Sequence, residues 1–164
     1  MEAHHIPPDH AVSRAEVLAI LRSTPAAAGL SHPSGVEWIP GFLRRVVTEL
    51  ELASLAELAR GEPERLVRAV GVPVCRSPLP FFCGGSTARA MHLPWHRERA
   101  ERRLVAVHEL LHVMGKRLGF TACEADWWLA TAAVVHFAVR EGGALRFPVW
   151  FVGEIPVEVV ALFG

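Results

Sequence analysis

Leu104-Val105-Ala106-Val107-His108-Glu109-Leu110-Leu111-His112-Val113-Met114-Gly115 is the stretch around which this chain organises itself. It lies inside a run from Glu98 to Leu118 that is rich in helix formers and closed by Gly119, so the spacing predicts a helix. Its apolar residues fall on nearly every side, which is the mark of a helix buried in a core. His108 and His112 are four residues apart. On a helix their rings project from one face, one turn apart. Two histidines and a glutamate inside an apolar helix need partners, because buried polar groups are costly when unpaired.

A metal ion answers that need. His-Glu-x-x-His on a helix lets both imidazoles bind one tetrahedral Zn2+ ion, with the glutamate set beside the attacking water. In this reading His108 and His112 are metal ligands and Glu109 is the general base. A third protein ligand is required, with the fourth position left for water. The pattern continues as far as Gly115 toward a longer three-histidine motif, but its last position is Leu118, which cannot bind metal. The next candidate is Glu124, at the start of a following helix that runs from about Cys123 to Arg140. Asp126 is an alternative ligand or an acceptor that orients a ligand histidine, and Cys123 is a weaker candidate. A closed fourth position would instead make the site structural.

Around these two helices the chain reads as one domain over residues 1–164, with residues 1–10 flexible, helices over 11–71, and a sheet with the metal-site helices over 72–164. Ser13 and Glu16 have capping-box spacing ahead of a short helix. Residues 26–41 read as a loop, Phe42 to Arg60 as one helix, and Pro63 to Val70 as another stopped by Gly71. Val72 to Cys75, Leu79 to Cys83 and Ala88 to Leu93 read as three short strands, with Gly84-Gly85 as a turn. Leu145 to Val152 reads as a strand or extended segment, and Pro156 opens a last short helix. The fold class is therefore α+β, zincin-like: mainly helical, with a small three-stranded sheet beside the His-Glu-x-x-His helix.

Bulk properties narrow the function classes. The chain has 164 residues, a formal net charge of zero and 51% hydrophobic residues, enough for a sizeable core. The absence of a charge excess argues against general binding to nucleic acid or an anionic membrane. Three cysteines without a CxxC pair argue against a disulfide framework. The first residues lack the layout of a signal peptide, and the longest apolar run, Trp127 to Val139, is short for a membrane span. A cytoplasmic protein is expected, with oligomeric state open.

The stretch from Ala88 to Val135 resembles the ImmA/IrrE family of bacterial metallopeptidases. Met91-His92-Leu93-Pro94, the arginines Arg97, Arg99, Arg102 and Arg103, and then Leu104 to His112 are similar to that family's strand, Arg-containing helix start and metal-binding core. Glu124-Ala125-Asp126-Trp127-Trp128-Leu129-Ala130 looks like its acidic, alanine-rich helix, which supplies the third ligand. Leu66 to Cys75 resembles its short helix, glycine turn and first strand. In that pattern the ligand glutamate precedes an Asn or Asp by four residues; here that position is Ala122, and Glu124 stands two before Asp126. The resemblance implies a zinc peptidase of the gluzincin kind that cleaves a regulatory protein, typically a helix-turn-helix repressor. The competing expectation is an inactive domain that keeps the scaffold as a protein-binding module.

Other residues are weaker candidates. The chain has no tyrosine, so an oxyanion would have to be met by His92, His96, His136 or an arginine such as Arg103. Trp127 and Trp128 read as core or groove lining. Phe81-Phe82 and Trp150-Phe151 are candidates for a substrate groove if they flank the site as edge strands. His4, His5 and His10 form a histidine-rich end suited to adventitious metal.

Overall fold

A computed structural model of the chain describes residues 13–23, 36–60, 62–77, 85–86, 90–94, 98–141 and 147–162. Its centre is the pair α5 (Arg99–Leu118) and α6 (Glu124–Arg140). All twelve residues from Leu104 to Gly115 are buried, as the apolar girdle of that stretch requires. The five residues between the helices turn α6 back along α5. Contacts then run from Gly115 against Trp127 to His108 against Thr131, so the pair is antiparallel.

The close approach of the two helices depends on Gly115. A Cβ there would sit 2.3 Å from Cη2 and 2.8 Å from Cζ2 of Trp127. The indole has little freedom to retreat. Trp38 and Phe42 meet it edge-on at 5.1 and 5.3 Å between centroids, and its Nε1–H donates to the Ala122 carbonyl at 3.2 Å. Gly115→Ala is expected to destabilise the fold by about 1–3 kcal/mol through overpacking. That corresponds to a Tm lower by at least about 2 °C, read by calorimetry; an unchanged Tm would mean that the helices separate without cost.

Smaller helices pack around this pair. α1 (Arg14–Arg22) opens with the expected capping box: the Ser13 N–H donates to Glu16 Oε2 at 2.6 Å and the Glu16 N–H to Ser13 Oγ at 3.2 Å. α2 (Ile39–Glu49) takes in Ile39, Pro40 and Gly41, so the expected loop ends earlier than residue 41. Proline in the first turn suits a helix start, where its missing N–H costs nothing. The single helix expected from Phe42 to Arg60 is broken, and resumes as α3 (Glu57–Arg60). The break is a helix-ending turn in which Glu51 adopts φ 53°, with the Leu52 N–H donating to Val47 O and the Glu51 N–H to Thr48 O. A glutamate in the position normally given to glycine is why composition did not mark it. α4 (Pro63–Ala69) ends in the same turn at Gly71, φ 85°, and α5 at Gly119, φ 77°, both as expected.

The sheet contains β1 (Val74–Ser77), β2 (Gly85–Ser86) and β3 (Met91–Pro94) in the order β1-β3-β2. β1 is parallel to β3, with Val74 opposite Met91, and β2 is antiparallel to it. β1 starts after Pro73, which lacks an N–H but accepts from the Met91 N–H at 2.9 Å. Gly85 is in β2 rather than in a turn; Leu79 to Cys83 and Gly84 lie outside the described residues. Met91 and Leu93 are fully buried toward α5, so the sheet lies against the central helix.

The segment expected as a strand at Leu145 to Val152 contains α7 (Val149–Val152) instead. Pro148 precedes it, and its carbonyl accepts from the Phe151 and Val152 N–H groups. The β-favouring composition is overridden by packing: Phe151 is fully buried, with its ring 6.1 Å from that of Trp128. α8 (Val157–Ala161) follows Pro156 as expected. Among the described residues no helix is long and apolar enough to cross a membrane.

Candidate metal centre

His108 and His112 project from α5 toward the first turn of α6, where Glu124 is the first helical residue. His108 Nε2 is 2.7 Å from Glu124 Oε1, His112 Nε2 is 3.0 Å from Glu124 Oε2, and the two Nε2 atoms are 3.1 Å apart. These three side chains form a group able to hold a metal ion. His108 is 1% exposed and His112 6%.

The protonation of His108 follows from its second neighbour. Thr131 Oγ1 is 2.9 Å from His108 Nδ1 and donates its one hydrogen to the Trp127 carbonyl at 2.8 Å. With that hydrogen used, the hydroxyl must accept from His108 Nδ1–H. In the neutral ring, Nε2 is then the bare nitrogen, which is the tautomer a metal needs. A bare Nε2 and a carboxylate oxygen 2.7 Å apart repel unless a cation, a proton or a metal ion, lies between them. Glu124 Oε2 is buried, 3.0 Å from His112 Nε2 but without a well-aligned hydrogen bond. The donor set therefore fits a metal ion: two imidazoles and one carboxylate whose lone pairs converge.

The electrostatics agree. Burial pushes the Glu124 carboxyl up, but the adjoining His108 and His112 outweigh it and hold the group down at about 2. Burial lowers the His112 pKa, against the pull of Glu124. Anionic glutamate and neutral imidazole are the forms that ligate. Trp128 stacks on His108 with centroids 3.7 Å apart and planes 11° from parallel, and Trp127 tilts against His112 at 5.0 Å. The rings are thus clamped before any ion arrives. Thr131→Val is expected to weaken metal binding about 10–100-fold, and Thr131→Ser to restore it, in a chelator competition. Equal affinity in all three proteins would show that the hydroxyl does not orient the ligand.

A cleft of about 420 Å³ opens on this group and is lined by His112, Glu124, Trp127, Phe120 and Lys116 among others. Glu109 is 1% exposed and is not among the residues lining it. Its charge nevertheless reaches His112 and favours the protonated ring.

Of the candidate third ligands, Glu124 joins the histidines and the others do not. Asp126 is two residues on, rotated by about 200° around α6; it is buried and is not part of the group. Cys123 precedes the helix and is half-buried, outside the group. His136 is twelve residues beyond Glu124 on α6, about 18 Å along the axis, so it does not serve this centre. Arg103 is turned to another purpose: its Nη1 donates to the Ala59 carbonyl at 2.7 Å. His92 is half-buried on β3, alternating with Met91 and Leu93, which face the core. Trp150 and Phe151 belong to α7, not to an edge strand, and Arg14 stacks on Trp150 at 4.6 Å. His4, His5, His10, His96, Phe81 and Phe82 lie outside the described residues.

Thr131 and the stacking role of Trp128 were not singled out from the sequence. The signal was present: Trp128 and Thr131 are four and seven residues after Glu124, which places all three on one stripe of α6. No protein-family model matches the chain, and no curated protein or solved structure matches it.

Proposed function

We propose that the chain is a zinc-dependent endopeptidase of the ImmA/IrrE, zincin-like type, acting in the cytoplasm on a regulatory protein, with a helix-turn-helix repressor as the expected substrate. The observation that carries this reading is the convergence of His108, His112 and Glu124, with Thr131 setting the tautomer of His108. Two imidazoles and one carboxylate, with an open fourth position, are the donor set of catalytic zinc sites. Ligand edges in a tetrahedron with bonds of 2.0–2.1 Å are about 3.3 Å. The two Nε2 atoms here are 3.1 Å apart and each lies 2.7–3.0 Å from a different Glu124 oxygen, so the imidazole edge is within a few tenths of an ångström of what the ion needs.

Bound zinc would supply Lewis acidity and bring the pKa of a coordinated water to about 7. The chain's own part is to hold, orient and move a proton. His108, His112 and Glu124 hold the ion, and Thr131 and Trp128 keep His108 in place. Glu109 takes the proton from the attacking water and returns it to the leaving amine. The cleft beside His112 and Glu124 receives the peptide.

A second reading is a metal-holding domain that binds a protein without cutting it. Its support is the burial of Glu109 and its absence from the cleft wall. Incubating the zinc-loaded chain with a peptide library and mapping products by mass spectrometry separates the two. Cleavage that stops on metal removal is expected for the peptidase; an intact library leaves the binding module.

A further inference from the structure

Arg99, Arg102 and Arg103 occupy the first two turns of α5, the end where the helix dipole disfavours cations. The N-cap residue, Glu98, makes no side-chain cap bond there. These arginines line a cavity of about 280 Å³, and Arg68 of α4 and Arg76 of β1 close it from the other side. Five guanidiniums from three elements thus face one space, against the carboxylates of Glu62 and Glu64.

Each carboxylate is engaged by one of these arginines. Glu64 is bound to Arg76 at 2.9 Å. Glu62 acts on Arg103, whose pKa is lowered by burial and by the neighbouring Arg99 charge. Among the described residues no ion-pair partner meets Arg68 or Arg99, and both are exposed. Glu62, at the rim, has φ 57°, a conformation costly for a residue with a side chain. Positive charge is concentrated here against both the helix dipole and its own repulsion, and a bound anion would relieve both.

We propose that this cavity is a binding site for a small phosphate-class polyanion: a diphosphate, free or as the diphosphate portion of a nucleotide. Guanidinium forks match phosphate oxygens in pairs. Each phosphate offers oxygens for a guanidinium fork, so two phosphates suit Arg68 and Arg99, the two lining arginines that no described residue pairs. The described lining residues offer guanidiniums and no aromatic ring, so the contacts they can make are to phosphate. The site lies toward the start of α5, five residues from His108 at its nearest arginine, and is independent of the chemistry at the metal.

Calorimetric titration of the full zinc-loaded chain with pyrophosphate, ADP and adenosine tests this. Pyrophosphate and ADP are expected to bind at one per chain and adenosine not at all. Equal affinity for the first two identifies free diphosphate as sufficient; tighter ADP binding identifies a nucleotide. The R68Q/R99Q variant should lose at least tenfold in affinity, and the single R68Q part of that, while R44Q/R45Q on α2 should bind as the native chain does. Thermal melts establish that each variant is folded. The site is overturned by absence of saturable binding at millimolar pyrophosphate. Unchanged affinity in R68Q/R99Q also overturns it, by placing the anion elsewhere, such as at the metal. So does tighter binding of a single-stranded oligonucleotide at equal phosphate concentration, which would make the surface a nucleic-acid contact.

Discussion

Glu109→Gln is expected to leave zinc binding intact and to lower kcat on a cleaved peptide by about 10²–10⁴-fold. Glutamine keeps the size and shape of a side chain that is 1% exposed, so packing is conserved. It removes the basicity needed to accept a proton from water. The effect on the ligands can be signed. The Glu109 charge favours protonated His112, so its removal leaves that ring neutral to still lower pH, and neutral imidazole is the ligating form. Metal content and kcat measured on the same preparation therefore come apart if Glu109 is the base. Undiminished turnover in the variant would exclude Glu109 from the chemistry.

His108→Ala is expected to lose metal outright. Apparent zinc-binding energies of about 10–16 kcal/mol over four ligands put one ligand at about 2.5–4 kcal/mol, roughly 70- to 900-fold in affinity. The side chain also fills a buried space between Trp128 and Glu124. Its truncation should cost about 2–4 kcal/mol of stability even without metal, as for other buried side chains of that size. The two effects separate in thermal melts. Added zinc should raise the Tm of the native chain, because a ligand that binds the folded state stabilises it by about 2.7 kcal/mol at a hundred times Kd. The variant should show a lower Tm that zinc does not change. If zinc raised both equally, the ion would be bound elsewhere, and the convergence of His108, His112 and Glu124 would have no functional meaning.

Much of the helical framework was legible in the chain itself. The girdle from Leu104 to Gly115, the glycines at 71 and 119, the capping box at Ser13 and Glu16, and the apolar run of α6 are local signals. Each element they mark is present. The break at Glu51 was not legible, because a residue with a side chain takes the left-handed turn that glycine usually marks. The helix at Val149–Val152 was not legible either: aromatic and β-branched residues favour strand, and the decision came from Phe151 packing against Trp128. In the candidate site the sequence by itself determined that His108 and His112 share a helix face, since that follows from 3.6 residues per turn. Whether Glu124, Asp126 or Cys123 completes the group depends on how α6 is rotated and docked against α5, which local spacing does not contain. The tertiary structure decided it for Glu124. The indole of Trp127, seated against Gly115, fixes how α6 meets α5, and the same docking brings Thr131 to His108 and leaves Asp126 outside the group.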